Sequence, residues 1–208
     1  MPDTRLLRFS PAERAVHLAT GLLFLACLLT AVALYVAPVA QLVGRRHVVE
    51  TLHEWSGVLL PAPVLLGIWS QAFWADLRRL DRFTDQDRQW LAGLRSPDPF
   101  RGRLAGKFNA GQKVWAAWLA GAVLVMVGTG LFLWFKFALG FVPRAGVVLV
   151  HDVGAYALVI VVAGHILKAL ADPEARRGMR TGSVRRSWAA REHALWLDDE
   201  ASGRGGAR

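Results

Sequence analysis

Six histidines punctuate the chain, and four of them, His17, His53, His151 and His165, fall inside long apolar runs. An ionisable side chain at membrane depth is costly and marks a functional site by default. In "VHDVGAYALVIVVAGH" His151 and His165 stand fourteen residues apart. On an α-helix that spacing is about 21 Å of rise and only about 40° of rotation. The two imidazoles therefore share nearly one face, each close to an opposite side of a bilayer. His17 opens the first apolar run and His53 the second. With helices running alternately out and in, His17 lies at the depth of His165, and His53 at the depth of His151. Neutral imidazole donates a lone pair to a metal, while its other nitrogen hydrogen-bonds a neighbour that fixes the ring.

Two His–His pairs stacked across a helix bundle are what two bis-imidazole b-type haems require, each iron taking one axial ligand from each of two helices. Glycines fit that expectation. Gly21 follows His17 by four residues, Gly57 follows His53 by four, Gly154 follows His151 by three, and Gly164 precedes His165. At such offsets a glycine leaves room beside the ligand for a porphyrin plane. The plainer alternative is that each histidine only packs or hydrogen-bonds between helices, with glycines serving close helix approach. Four residues agreeing on two depths and two pairs favour haem. Zinc or copper would gather more ligands at one depth, and neither pair has a third. His47 lies in an outer connection and His193 in the tail, where it is expected to be solvated; neither is assigned as a ligand.

The elements that must hold these residues follow from composition. Of 208 residues 54% are hydrophobic, and the mean hydropathy of +0.32 is high for a soluble domain. Four runs are long enough to cross a bilayer, roughly 15–37, 52–74, 112–138 and 146–171. The first is too long for a signal peptide and is read as a retained helix. Pro61 and Pro63 should kink the second. Residues 1–14, 75–113 and 168–208 carry 21 of the 25 Lys and Arg residues. Four crossings put all three segments on one side, which the positive-inside rule makes cytoplasmic. Both termini are then cytoplasmic, in a bacterial inner membrane. The net charge of +9 thus reflects membrane topology, and no nucleic-acid partner is expected.

The expected fold is all-α: an integral membrane four-helix bundle over residues 1–175 binding two b-type haems, followed by a basic, helical cytoplasmic tail over 176–208. The last residues, "SGRGGAR", are expected to be disordered. Cys27 is the only cysteine, so the chain has no iron–sulfur cluster of its own and no C-x-x-C-H haem attachment.

Ahead of the third run stands "GKFNAGQKVW", Gly106–Trp115. The amides of Asn109 and Gln112 could serve a quinone carbonyl or quinol hydroxyl at the cytoplasmic level. They could equally cap the helix, with Asn109 as N-cap and Gln112 at N3. Both roles are compatible in the same residues.

Taken together, "RFSPAERAVHLATG", "TLHEWSG", "GKFNAGQK", "VLVHDVGAYALVIVVAGH" and "GSVRRSWAAREHALW" resemble the cytochrome b, or gamma, subunit of membrane-bound respiratory formate dehydrogenases. The resemblance runs over about residues 1–198. It implies that His53 and His151 ligate an outer, periplasmic haem and that His17 and His165 ligate an inner one. It implies that Asn109 and Gln112 line a quinone site, for menaquinone or ubiquinone, beside the inner haem. It also implies an iron–sulfur beta subunit and a molybdenum or tungsten catalytic alpha subunit as partners. On that reading electrons pass from the outer haem to the inner one and on to quinone, and formate oxidation lies on the partner. Glu54 and Asp152, each following an outer ligand, would place acidic groups at the outer haem. The cytochrome b subunit of a nickel–iron hydrogenase is the nearest alternative. A haem-free proton-coupled transporter is a third reading, disfavoured by four helices without inverted repeats, and a haem-free anchor a fourth.

Overall fold

A computed structural model of the chain describes residues 4–95, 104–135 and 143–202. The described residues are helical throughout, apart from loops and one short ribbon of two three-residue strands. The first helix, α1, runs Pro11–Tyr35. Its start is a capping box: the Ser10 amide donates to the Glu13 carboxylate, and the Glu13 amide donates to the Ser10 hydroxyl. A short α2, Ala37–Val43, ends on Gly44 at φ +63°. It occupies part of the segment expected to be a plain connection.

The second run is not one straight helix. It begins as α3, Arg46–Leu59, and resumes after Pro61 as α4, Ala62–Gly67. It then breaks, and α5, Gln71–Asp81, leaves at a bend of 106°. The helix is interrupted at Leu60 and Pro61, where a kink is expected, and it ends at Gly67 rather than near Trp74. Beyond the break Ser70 caps the next helix, its hydroxyl accepting the Phe73 amide. Next come α6, Asp85–Ala92, and a 3-10 turn, Gly93–Arg95. α7 runs Ala110–Phe135 and α8 runs Arg144–Ala171. The expected end of the third span, 136–138, and the terminal residues 203–208 lie outside the described residues.

α1, α7 and α8 are each long and apolar enough to cross a membrane, and α3 to α5 form a fourth, bent candidate. Their surfaces within the chain are largely exposed leucine and valine, as at Leu18, Leu22, Leu25 and Leu29 on α1. So much exposed apolar area is what lipid or a partner must cover.

The chain divides into two compact units. One, Ala15–Leu66 with Ala120–Leu167, carries the apolar helices. The other gathers residues 1–14, 67–119 and 168–208, which hold 21 of the 25 Lys and Arg residues. In this second unit the C-terminal region is folded. It comprises α9, Pro173–Thr181, strand β2, Ser183–Arg185, α10, Arg186–Glu192, and α11, Ala194–Ala201. β2 pairs antiparallel with β1, Arg5–Leu7, in the register Leu6 to Val184. Val184, Trp188, Ala189 and Trp196 make its core.

Candidate functional site

In the apolar unit the four intramembrane histidines meet as two pairs. The ring centroids of His17 on α1 and His165 on α8 are 6.1 Å apart. Those of His53 on α3 and His151 on α8 are 6.3 Å apart. Because α8 is unbroken from Arg144 to Ala171, its two histidines sit about 21 Å apart along one axis.

The separations bear on what could lie between the rings. A linear imidazole–imidazole hydrogen bond of about 2.9 Å would set the centroids about 5.2 Å apart. A metal with two bonds of about 2.0 Å to ring nitrogens would set them about 6.3 Å apart. Both observed distances suit the second geometry, and they also lie within the range of about 4.5–7 Å usual for packed aromatic rings. No cluster of three or more His, Cys, Asp or Glu with metal-holding geometry occurs among the described residues. The histidines stand as two separate pairs, a donor set that would suit a haem iron. At Gly21, Gly57 and Gly164 an added Cβ would meet nothing within 4 Å, so the helix surface there is open to a flat group. Gly154 differs, because an added Cβ would lie 2.6 Å from the Met126 sulfur. That glycine serves the approach of α7 to α8 rather than a porphyrin.

Two threonines unnoticed in the sequence complete one pair. Thr30 Oγ1 lies 2.9 Å from His53 Nδ1, and Thr129 Oγ1 lies 2.8 Å from His151 Nδ1. Each hydroxyl spends its own proton on the carbonyl four residues back, Ala26 O at 2.7 Å and Val125 O at 2.7 Å. The threonine oxygens therefore accept, each Nδ1 carries the hydrogen, and each Nε2 keeps the lone pair a metal needs. Beside this pair, Tyr35 donates a 2.6 Å hydrogen bond to Asp152. The acidic residue next to His151 thus ties α8 to the end of α1. Glu54 makes no ion pair among the described residues, and nothing in the structure explains it.

In the basic unit, Asn109 and Gln112 form a reciprocal capping box. The Gln112 amide donates to Asn109 Oδ1 at 2.9 Å, and the Asn109 amide donates to Gln112 Oε1 at 2.9 Å. The two side-chain oxygens are committed to starting α7, whereas the side-chain NH2 groups make no hydrogen bond among the described residues. A cavity of about 600 Å³ lies beside the motif, lined in part by Arg78, Arg82, Lys107, Phe108 and Trp196. Asn109 and Gln112 are not in its lining.

The motif is anchored by groups from distant parts of the chain. Lys107 donates to Glu13 at 2.7 Å and to Asp76 at 2.6 Å, and all three side chains are buried. Arg8 donates to the Lys107 carbonyl at 2.7 Å and to His193 Nε2 at 3.0 Å. His193 Nδ1 in turn donates to the Gly106 carbonyl at 2.7 Å. His193 is thus not the solvated residue expected from its place in a polar tail: only 3% of it is exposed. Burial, then the Arg8 charge, pushes its imidazole down to about 3, so the ring is neutral. Burial pulls Arg8 down to about 10, and its guanidinium lies over the Trp188 ring. Lys113 donates to Asp87 at 2.7 Å. Burial pushes that carboxyl up, but the bonds from Lys113 and Thr84 outweigh it and hold the group below its usual range.

The formate dehydrogenase cytochrome b556 subunit of Haemophilus influenzae is 23% identical over 95% of this chain and 84% of its own length. The nitrate-inducible formate dehydrogenase cytochrome b556(Fdn) subunit of Escherichia coli is 29% identical over 44% of this chain and 43% of its own. The family model described as prokaryotic cytochrome b561 matches residues 8–182, a stretch containing all four paired histidines, and the chain belongs to that family.

Proposed function

We propose that this chain is the dihaem cytochrome b membrane subunit of a respiratory formate dehydrogenase. The observation that carries the proposal is the pair of imidazole couples at 6.1 and 6.3 Å, each spaced for one iron. His53 and His151 would hold the outer haem, and His17 and His165 the inner one. When bound, the haems supply one-electron carriers that link a periplasmic donor to quinone at the cytoplasmic side. The chain's part is to fix the ligand rings, keep water from them within apolar helices, and set their spacing through the single helix α8. Asn109 and Gln112 would bind menaquinone or ubiquinone through their side-chain NH2 groups while their oxygens cap α7.

The formate assignment is supported by similarity to the Haemophilus influenzae subunit over most of both chains. An iron–sulfur beta subunit and a molybdenum or tungsten alpha subunit would then be the partners that oxidise formate. Collection of 21 of the 25 Lys and Arg residues in one unit supports a multi-pass inner-membrane protein with that unit, and both termini, in the cytoplasm.

The test is to purify the complex from native membranes through a tag on this chain. Formate should reduce its haem absorbance, and a molybdenum- or tungsten-containing subunit should co-purify. Reduction by hydrogen but not by formate would instead make the chain a hydrogenase subunit.

A further inference from the structure

We infer that Thr30 and Thr129 are positioning residues for the outer haem: their hydroxyls hold His53 and His151 through Nδ1, fix which nitrogen faces the iron, and lower the potential of that haem. The inference rests on the dihaem reading and goes beyond it. The two contacts share the same geometry, although His53 also has a hydrogen bond to the Cys27 backbone. Each threonine is on a helix neighbouring its histidine, Thr30 on α1 beside α3 and Thr129 on α7 beside α8. Each is half-buried, within 2.9 Å of Nδ1, and donates its own proton to the carbonyl one turn back.

Such a chain of hydrogen bonds polarises the oxygen and makes it a better acceptor. A stronger acceptor on Nδ1–H moves electron density toward Nε2, and a more basic ligand favours ferric over ferrous iron. The arrangement also gives α7, which carries no histidine, a direct part in the site. Thr30 and Thr129 bond neither His17 nor His165, so the inner haem serves as an internal control.

The experiment is a redox titration of the intact complex, with ferric low-spin spectra recorded by electron paramagnetic resonance. The variants are Thr30→Val, Thr129→Val, the double variant, and Thr→Ser at each site. The outer haem is identified as the component lost in His151→Ala. Each valine variant should shift the outer midpoint upward and move its low-field resonance, the double variant should shift further, and serine should restore both. The inner haem should not move. Loss of the outer haem in the valine variants with retention in serine also supports the inference, since the hydroxyl then holds the ligand in place. Two haems with unmoved outer midpoint and spectrum in the valine variants would overturn it, as would equal shifts in the serine variants. Wild-type protein without haem would overturn the dihaem reading and this inference together.

Discussion

At the scale of single residues, the pairing of His17 with His165 and of His53 with His151 is legible, because an imidazole is expensive in lipid and helix rise fixes its depth. Thr30 and Thr129 are not legible. A threonine in an apolar helix ordinarily bonds its own preceding turn, as both do here, and only the neighbouring helix turns the oxygen's second lone pair toward a ring. His193 is missed for another reason: a polar, basic sequence around it says nothing of a fold that returns to Arg8 and Gly106. That residue carries a pH prediction. Its folded value of about 3 lies below the ordinary 6.5. Between the two, the unfolded chain binds the extra proton, so stability rises with pH. The contribution is complete above about 6.5 and is lost as pH falls toward 3. Thermal melting in detergent should therefore drop between pH 7.5 and pH 5, and the drop should shrink in His193→Gln. Equal pH profiles for the two proteins would count against the buried neutral ring.

At the scale of elements, the apolar runs locate α1, α7 and α8 to within a few residues, since length and hydropathy decide them. The second run misleads because Trp69, Phe73 and Trp74 continue its apolar character past the true break. The local mark of the break is one N-cap hydroxyl at Ser70, which starts the next helix and is a weaker signal than the hydrophobic pattern around it. The β1–β2 ribbon is invisible in the sequence, as three residues per strand carry no usable periodicity. Its geometry depends on Gly182, whose φ is +87° and whose carbonyl accepts the amides of Arg8 and Phe9. An added Cβ would lie 2.7 Å from the Phe9 carbonyl oxygen. Gly182→Ala should cost roughly 1–3 kcal/mol from the left-handed backbone alone, with the backbone clash adding to it. A lowered melting temperature and faster proteolysis near the C-terminus are the expected outcomes. An unchanged melt would show that the ribbon is dispensable.

At the scale of the whole molecule, the three Lys- and Arg-rich segments that are far apart in sequence come together in one unit, tied by Arg8, Lys107, Asp76 and His193. Charge counting leads to the expectation that they share a side if the chain crosses four times. It does not anticipate their hydrogen-bonded packing, because ion pairs such as Lys107 with Glu13 and Asp76 have no sequence periodicity. The other unit presents two imidazole couples along one uninterrupted helix, and the proposed dihaem role rests on them. Haem stoichiometry tests that claim most directly, by pyridine haemochrome titration and a dithionite-reduced minus oxidised spectrum of the purified protein. About two low-spin b haems per chain are expected, falling to about one in His165→Ala with the outer component retained. Protein without haem, or a haem content that His165→Ala leaves unchanged, would contradict the account.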